Sequence, residues 1–156
     1  RATLRLTLLL LAIGFVAAPA GAEGICLRVE AGGRPVAAMP AAVGDEVRLR
    51  FRHSIYGTQV EEHFRVARDG FRSVRLRYAE LRLVEFYGHE TAEPAEGWWV
   101  VQGTPRDLPT LWLRVSPESP MELAVGPERL PLWRLVEPAA LVQVAVGACK
   151  GRDDAR

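Results

Sequence analysis

A strict two-residue alternation between Glu46 and His53 is the feature that most constrains the fold. Val47, Leu49 and Phe51 point one way, and arginines occupy the positions between them. This period is that of a β-strand with one buried face and one solvated face. A helix would bury arginines together with the apolar side chains, so the segment is predicted to be a strand.

Similar alternating segments recur along the chain, and turn-forming pairs such as Gly44-Asp45 and Asp69-Gly70 separate them. Strands at this spacing are typical of antiparallel architectures. We therefore expect an all-β fold, an antiparallel β-sandwich or partly open barrel of about 8–11 short strands. The predicted strands include Ile25–Glu30, Thr58–Val66, Val74–Tyr78, Trp98–Gln102, Leu111–Val115, Met121–Val125 and Leu141–Val146.

Two segments fit this pattern less well. Ala79–Tyr87 has apolar residues that suit one short helix, but Tyr78–Val84 also alternates, and we favour a strand or bulged strand there. Glu90–Gly97 is acidic and contains Pro94, so it is predicted to be a loop.

The N-terminus predicts export. Two arginines precede a short apolar run, Leu6–Ala18, and Pro19 and small residues follow it. This order is that of a secretory signal peptide. The alternative is a membrane anchor, which takes about 20 apolar residues, and the run is shorter. We expect residues 1–22 to be a signal peptide and residues 23–156 to be a single β-rich domain in the periplasm or otherwise outside the cytoplasm.

Charge and hydropathy limit the partners of the exported domain. Loss of Arg1 and Arg5 with the signal lowers the net charge from +1 to −1. A near-neutral domain gives no reason to expect nucleic acid as a partner. No other apolar segment is long enough to predict a stable membrane span in the mature form.

Cys26 and Cys149 are the two cysteines of the chain and lie near the two ends of the predicted domain. Disulfides persist in extracytoplasmic compartments, and two cysteines allow one intramolecular pairing. We expect a disulfide that joins the first strand to the last. Two free buried thiols are the alternative.

Strand parity places two ionisable groups on faces that are otherwise apolar. His53 continues the face of Leu49 and Phe51, and Glu62 lies between Val60 and Phe64. Burying such groups is costly unless they meet partners. The turn signal Tyr56-Gly57 predicts a hairpin, so we expect His53 and Glu62 to form a hydrogen bond, directly or through one water, near Ser54 and Tyr56.

Three interpretations of this pair stay open: a structural clasp, a ligand site and a catalytic site. Ser54 adjoins His53, and neighbouring strand residues point to opposite faces, which is poor geometry for a nucleophile and its base. We therefore predict no catalytic residues, no enzyme activity and no cofactor. The histidine spacings match no metal-binding motif. The candidate ligand-binding residues are His53, Ser54, Tyr56, Glu62, Tyr78, Glu85 and Tyr87.

The segment FRHSIYGTQVEEHFRV resembles a family of small exported bacterial proteins known as domain of unknown function 1850. The family has a His-Ser pair, a turn and a Val-x-Glu strand, which correspond here to His53-Ser54 and to Val60 and Glu62. The similarity is expected to run from Cys26 to Cys149. Many members carry a Gly-Ala-Gly stretch that this chain replaces with Tyr78–Gly88, so nothing that depends on those glycines transfers.

The resemblance implies a role in solute uptake. Family members are often encoded beside TRAP transporters of the TAXI type, so the implied partners are the transporter permease or its extracytoplasmic solute-binding protein. We expect a non-enzymatic periplasmic accessory or binding module. The alternatives are a structural or assembly domain of the cell envelope and, less favoured, a small hydrolase or metal-binding protein.

Overall fold

A computed structural model of the protein describes residues 24–149. The predicted signal peptide, residues 1–22, lies outside the described residues. Within them the chain forms twelve strands, one α-helix and one 3₁₀ turn at Leu132–Arg134. The strands are β1 Ile25–Ala31, β2 Arg34–Ala41, β3 Glu46–Arg52, β4 Gln59–Ala67, β5 Gly70–Tyr78, β6 Glu93–Ala95, β7 Trp98–Gln102, β8 Asp107–Leu108, β9 Thr110–Arg114, β10 Glu122–Val125, β11 Glu128–Pro131 and β12 Leu141–Ala148, and the helix is α1 Leu81–Phe86.

The strands form two antiparallel sheets that do not close into a barrel. The smaller sheet has the order β2-β1-β12-β9, and the larger has the order β11-β10-β3-β4-β5-β7-β6, with β8 also paired to β5. The predicted all-β sandwich is confirmed. Its main core packs apolar residues of both sheets together, among them Val47 and Leu49 from β3 and Leu27, Val29, Val142 and Val144 from the smaller sheet.

Residues after Tyr78 form a helix, so the prediction of a strand for Ala79–Tyr87 was wrong. Ala79 donates the last hydrogen bond towards β4, to the carbonyl of Gln59, and the chain then turns into α1. Leu83 and Val84 are buried against Val60, Tyr78 and Val101, in a cluster separate from the main core. This apolar surface of the larger sheet needs a cover, and tertiary packing overrides the weak strand pattern.

The predicted loop Glu90–Gly97 is partly a strand. Strand β6 pairs with β7 through a two-residue turn, in which Glu96 and Gly97 have φ values of 51° and 80°. Positive φ at both central positions is typical of the tight turns that join antiparallel strands. Pro94 is tolerated because β6 lies at the edge of the sheet, where a backbone donor can be missing.

A disulfide joins Cys26 to Cys149, with the Cα atoms 4.9 Å apart. The pairing follows from the topology, because β1 and β12 are antiparallel neighbours and Cys26 lies opposite Gly147. The predicted link between the first and last strands is therefore confirmed.

Removal of this disulfide is expected to destabilise the domain strongly. The cysteines are 123 residues apart, and constraining so long a loop in the unfolded chain contributes at most about 4–5 kcal/mol. We expect the double variant Cys26→Ala/Cys149→Ala to unfold at a lower urea concentration than the oxidised protein. A reductant should shift the midpoint of the native protein and leave that of the variant unchanged. Equal midpoints for the oxidised protein and the variant would contradict the prediction.

Candidate functional site

Two adjacent carboxyl groups, Glu61 and Glu62, lie near the middle of β4 and point to opposite faces of the larger sheet. Glu61 pairs with Arg50 of β3 and Arg77 of β5, and Glu62 lies between Leu49 and Leu76 on the same strands. The alternation of side chains along a strand therefore places Glu61 on the outer face and Glu62 on the inner face. The two groups have very different surroundings.

Glu61 is fully buried and fully paired. One of its carboxylate oxygens accepts a 2.8 Å hydrogen bond from Nε of Arg50, and the other accepts a 3.0 Å bond from Arg77 and lies 3.3 Å from Nε2 of His63. Burial alone would raise the pKa of Glu61. The hydrogen bonds from His63 and Arg50 and the positive charges of Arg50 and Arg77 outweigh it and lower the pKa to about 2.

The outer face is therefore less solvated than strand parity predicted. Glu61 and His63 alternate with Val60, Glu62 and Phe64 along β4, and the period of a strand with one solvated face would expose them, yet they are 0% and 2% exposed. Arginine side chains from the neighbouring strands lie across them, and the guanidinium groups of Arg50 and Arg77 bond to the Glu61 carboxylate. His63 also bridges two acids, since its Nδ1 lies 3.0 Å from a carboxylate oxygen of Glu46.

Glu62 has no such compensation. Within residues 24–149 no side chain forms a hydrogen bond or ion pair with its carboxyl group. Burial raises its pKa above the ordinary value of 4.5, because the charged form loses hydration without gaining a partner. Strand parity put Glu62 on the inner face, where it is half-buried, but the predicted partner His53 forms no direct bond with it.

His53 does not bond to Glu62, so the predicted direct contact was wrong. Its ring is 6% exposed, and its Nδ1 accepts hydrogen bonds of 3.3 Å from the backbone N–H groups of Ile55 and Tyr56. The hairpin itself is as predicted: Arg52 pairs with Gln59, and Gly57 donates to the His53 carbonyl. One ring nitrogen of the histidine is therefore engaged by the turn that follows it, not by the carboxylate.

An aromatic cluster surrounds His53. Its ring stacks on Tyr56 at 5.3 Å between centroids and meets the edges of Phe86 and Tyr87 at 5.0 and 5.7 Å. Tyr87 also stacks on Tyr78 at 5.4 Å. The structure thus brings together four of the predicted candidates, His53, Tyr56, Tyr78 and Tyr87.

The negative charge of Glu62 acts on two tyrosines of this cluster. Burial raises the pKa of Tyr78 and of Tyr87, and the negative charge of Glu62 raises each of them further. The Tyr78 hydroxyl lies 2.8 Å from Nε2 of His89. Both phenols therefore stay neutral beside the carboxyl group.

Three residues differ from the prediction of the candidate site: two predicted residues lie outside the cluster, and one cluster residue was not predicted. Ser54 and Glu85 are exposed and make no side-chain hydrogen bond within the described chain. Phe86 was missed, because its role depends on α1, which was predicted as a strand. A helical interpretation of Leu81–Phe86 would have placed Phe86 and Tyr87 beside the His53 turn.

A cavity of ≈ 350 Å³ opens beside Glu62 on the inner side of β4 and β5. A register shift between His63 and Phe64 accompanies it. Gly70 at the start of β5 allows the backbone of Leu108 to approach closely, since a Cβ at Gly70 would lie 2.3 Å from the Leu108 carbonyl oxygen. The lining consists of Glu62, His63, Phe64, Ser73, Val74, Arg75, Leu76, His89, Gly103, Thr104, Arg106 and Leu108.

These features define a small β-sandwich with a disulfide between its terminal strands and a carboxyl group that lines a cavity. Residues 47–132, more than half of the chain, match the family described as domain of unknown function (DUF1850), and the chain belongs to this family. The match spans almost the whole larger sheet and α1 and leaves out both cysteines, so it is narrower than the expected Cys26–Cys149. No curated protein and no solved structure matches the chain.

The stretch described by the structure holds no helix long and apolar enough to cross a membrane. Nor does that stretch hold a group of three or more His, Cys, Asp or Glu side chains arranged to bind a metal ion.

The adjacent acids provide a matched pair for stability measurements. Glu61 has a folded-state pKa of about 2, below its ordinary 4.5, so its stabilisation is present above pH 4.5 and is lost as the pH falls towards 2. We expect Glu61→Gln to lower the free energy of unfolding at neutral pH by about 3 kcal/mol. This difference should shrink below pH 4.5.

The contribution of Glu62 to stability depends on pH in the opposite direction. Its raised pKa favours the folded state while the group is protonated, and this contribution is lost as the pH rises above 4.5. Glu62→Gln should therefore leave the free energy of unfolding at neutral pH unchanged or increase it. Urea unfolding of both variants across the acid and neutral range checks the pair. A larger loss of stability in Glu62→Gln than in Glu61→Gln at neutral pH would refute it.

Proposed function

We propose that this protein is a non-enzymatic, extracytoplasmic binding module, an accessory to a TRAP-type solute uptake system of the TAXI class, and that it binds a small molecule in the cavity beside Glu62. His89 lines the same cavity. The observation that carries the proposal is the unpaired state of Glu62 in a cavity.

The contrast with Glu61 gives this observation its weight. The same strand buries a carboxyl group with three basic partners one position earlier, so the fold has the means to neutralise an acid. Glu62 is half-buried, and a partly desolvated carboxyl group without protein partners costs stability. A purely structural domain gains nothing from that cost, whereas a binding site recovers it when a ligand supplies the missing partner.

The alternative of a structural clasp has support at His53 alone. There the ring is buried and its Nδ1 is satisfied by the turn. Glu62 lies outside that arrangement, which favours binding over a purely structural role. For a hydrolase, the exposure of Ser54 and the engagement of Nδ1 of His53 by backbone amides speak against a nucleophile and base pair.

Two further features support an extracytoplasmic accessory. The N-terminal sequence has the pattern of an export signal, and the disulfide suits an oxidising compartment. Other members of the family that the chain belongs to are often encoded beside TAXI-type transporters, which is why the uptake system is the proposed context.

Ligand retention tests the binding function. The oxidised protein is incubated with the small-molecule extract of its source cells, freed from unbound material, and examined by native mass spectrometry. We expect the native protein and the exposed-acid control Glu85→Gln to retain the same small molecule. The amount retained by Glu62→Gln should be at least tenfold lower. A molecule that all three proteins retain equally, or no retained molecule, would exclude the cavity as a binding site.

Cross-linking tests the transporter association separately. The tagged protein is cross-linked in intact cells, purified from the envelope and analysed by mass spectrometry. We expect enrichment of a TRAP permease or its solute-binding protein relative to an unrelated exported domain with the same tag. Equal recovery with both baits would remove the transporter from the proposal and leave the cavity function intact.

A further inference from the structure

From the arginines on the outer face of the larger sheet we infer that the protein binds the surface of a membrane that contains anionic phospholipids. The binding surface, here called the basic face, consists of Arg48, Arg50 and Arg52 on β3, with Trp133 and Arg134 at its edge. Its guanidinium groups contact the lipid phosphates, and the indole lies at the level of the headgroups. This inference is independent of the cavity beside Glu62, which lies on the inner side of the sheet.

The register of the sheet places the three strand arginines on one side. Arg50 lies opposite Glu61 of β4 and Glu122 of β10 on the outer face, and alternation puts Arg48 and Arg52 on the same side. The Cα atoms of Arg48 and Arg52 are therefore about 13 Å apart along the strand. Strand β3 pairs with β10 and β4 along its two edges, so this row can bind a partner through its side chains but not through its backbone.

The acids near this row are already paired. The pairs are Glu46 with His63 and Arg75, Glu61 with Arg50 and Arg77, and Glu122 with Arg129. Arg48 and Arg52 form no ion pair and no side-chain hydrogen bond within the part of the chain that the structure describes. The row therefore carries positive charge that the fold does not neutralise.

A tryptophan lies at the edge of the row. Trp133 is 37% exposed and borders a recess of ≈ 200 Å³ together with Arg50, Arg52 and Gln59. The guanidinium carbon of Arg134 lies 4.6 Å from the centre of the indole ring. Tryptophan is enriched at the level of lipid headgroups, and guanidinium groups match phosphate oxygens in a bidentate geometry. An exposed indole beside several guanidinium groups therefore suits an anionic lipid surface.

A phospholipid surface suits the basic face better than an acidic polypeptide does. A polypeptide that binds a sheet commonly adds to a free strand edge or fills an apolar groove, and β3 has a paired neighbour on each side. A membrane presents its phosphates in a plane, which a row of side chains on an open sheet can contact at several points. The attraction grows with each arginine near the surface and weakens with salt.

Co-sedimentation with vesicles tests this inference. The oxidised protein is mixed with vesicles of phosphatidylcholine alone or of phosphatidylcholine with phosphatidylglycerol. We expect at least tenfold tighter binding to the anionic vesicles at low salt and a loss of this preference at high salt, because salt screens exposed charges.

A pair of double variants tests the position of the site. Arg48→Gln/Arg52→Gln should bind the anionic vesicles about tenfold less tightly. The control Arg34→Gln/Arg114→Gln removes the same charge from exposed positions of the smaller sheet and should bind like the native protein. Urea unfolding checks that each variant is folded. If the first double variant is unstable, Arg52→Gln alone, at the exposed end of β3, should weaken binding about fivefold.

Tryptophan fluorescence provides a second readout. The native protein should show a blue shift on anionic vesicles, because the indole of Trp133 leaves water for the headgroup region. Trp133→Phe should lose this shift. Trp112→Phe should keep it, since Trp112 is 61% exposed on the smaller sheet.

Three results would overturn the inference: equal binding to both kinds of vesicle, equal loss of binding in the two double variants, or a blue shift that survives Trp133→Phe. Capture of an acidic protein without binding to anionic vesicles would also overturn it, in favour of a protein partner. None of these results bears on the retention of a small molecule beside Glu62, so this inference and the proposed function fail separately.

Discussion

The two-residue period of β4 determines most of what is distinctive in this protein. The strand lies inside the larger sheet, with β3 and β5 on its two sides, so every side chain on it must enter either the interior or the outer face. Its consecutive carboxyl groups are therefore forced apart. Glu61 is held between Arg50 and Arg77, so a charged row crosses three neighbouring strands on the outer face of the sheet.

On the inner face of β4, Glu62 borders the cavity. Half-buried Glu62 and the register shift beside it, between His63 and Phe64, both border this cavity. The loop before β8 contributes Gly103, Thr104 and Arg106 to its wall. The aromatic cluster then lies where the hairpin turn and the end of α1 meet, with Tyr78 connecting it to the strand below.

The strand pattern was sufficient to predict the sandwich, the hairpin at Tyr56-Gly57 and the disulfide, because each depends on alternation, turn chemistry or cysteine count. It was insufficient where the answer depends on what covers a surface. The burial of Glu61 and His63 follows from arginines on other strands, and α1 forms because the sheet beyond Tyr78 needs an apolar cover. The partner of His53 was mistaken because a side chain can satisfy its own turn, a local option that strand parity ignores.

The disulfide also has a mechanical consequence. Its Cα atoms are 4.9 Å apart, and every strand except the first residue of β1 lies inside the loop that it closes. Tension applied at the two ends of the domain would pass through the sulfur–sulfur bond and bypass both sheets. The domain can therefore be pulled from its two ends without its hydrogen-bonded strands carrying the load, and the cavity would keep its shape under that force.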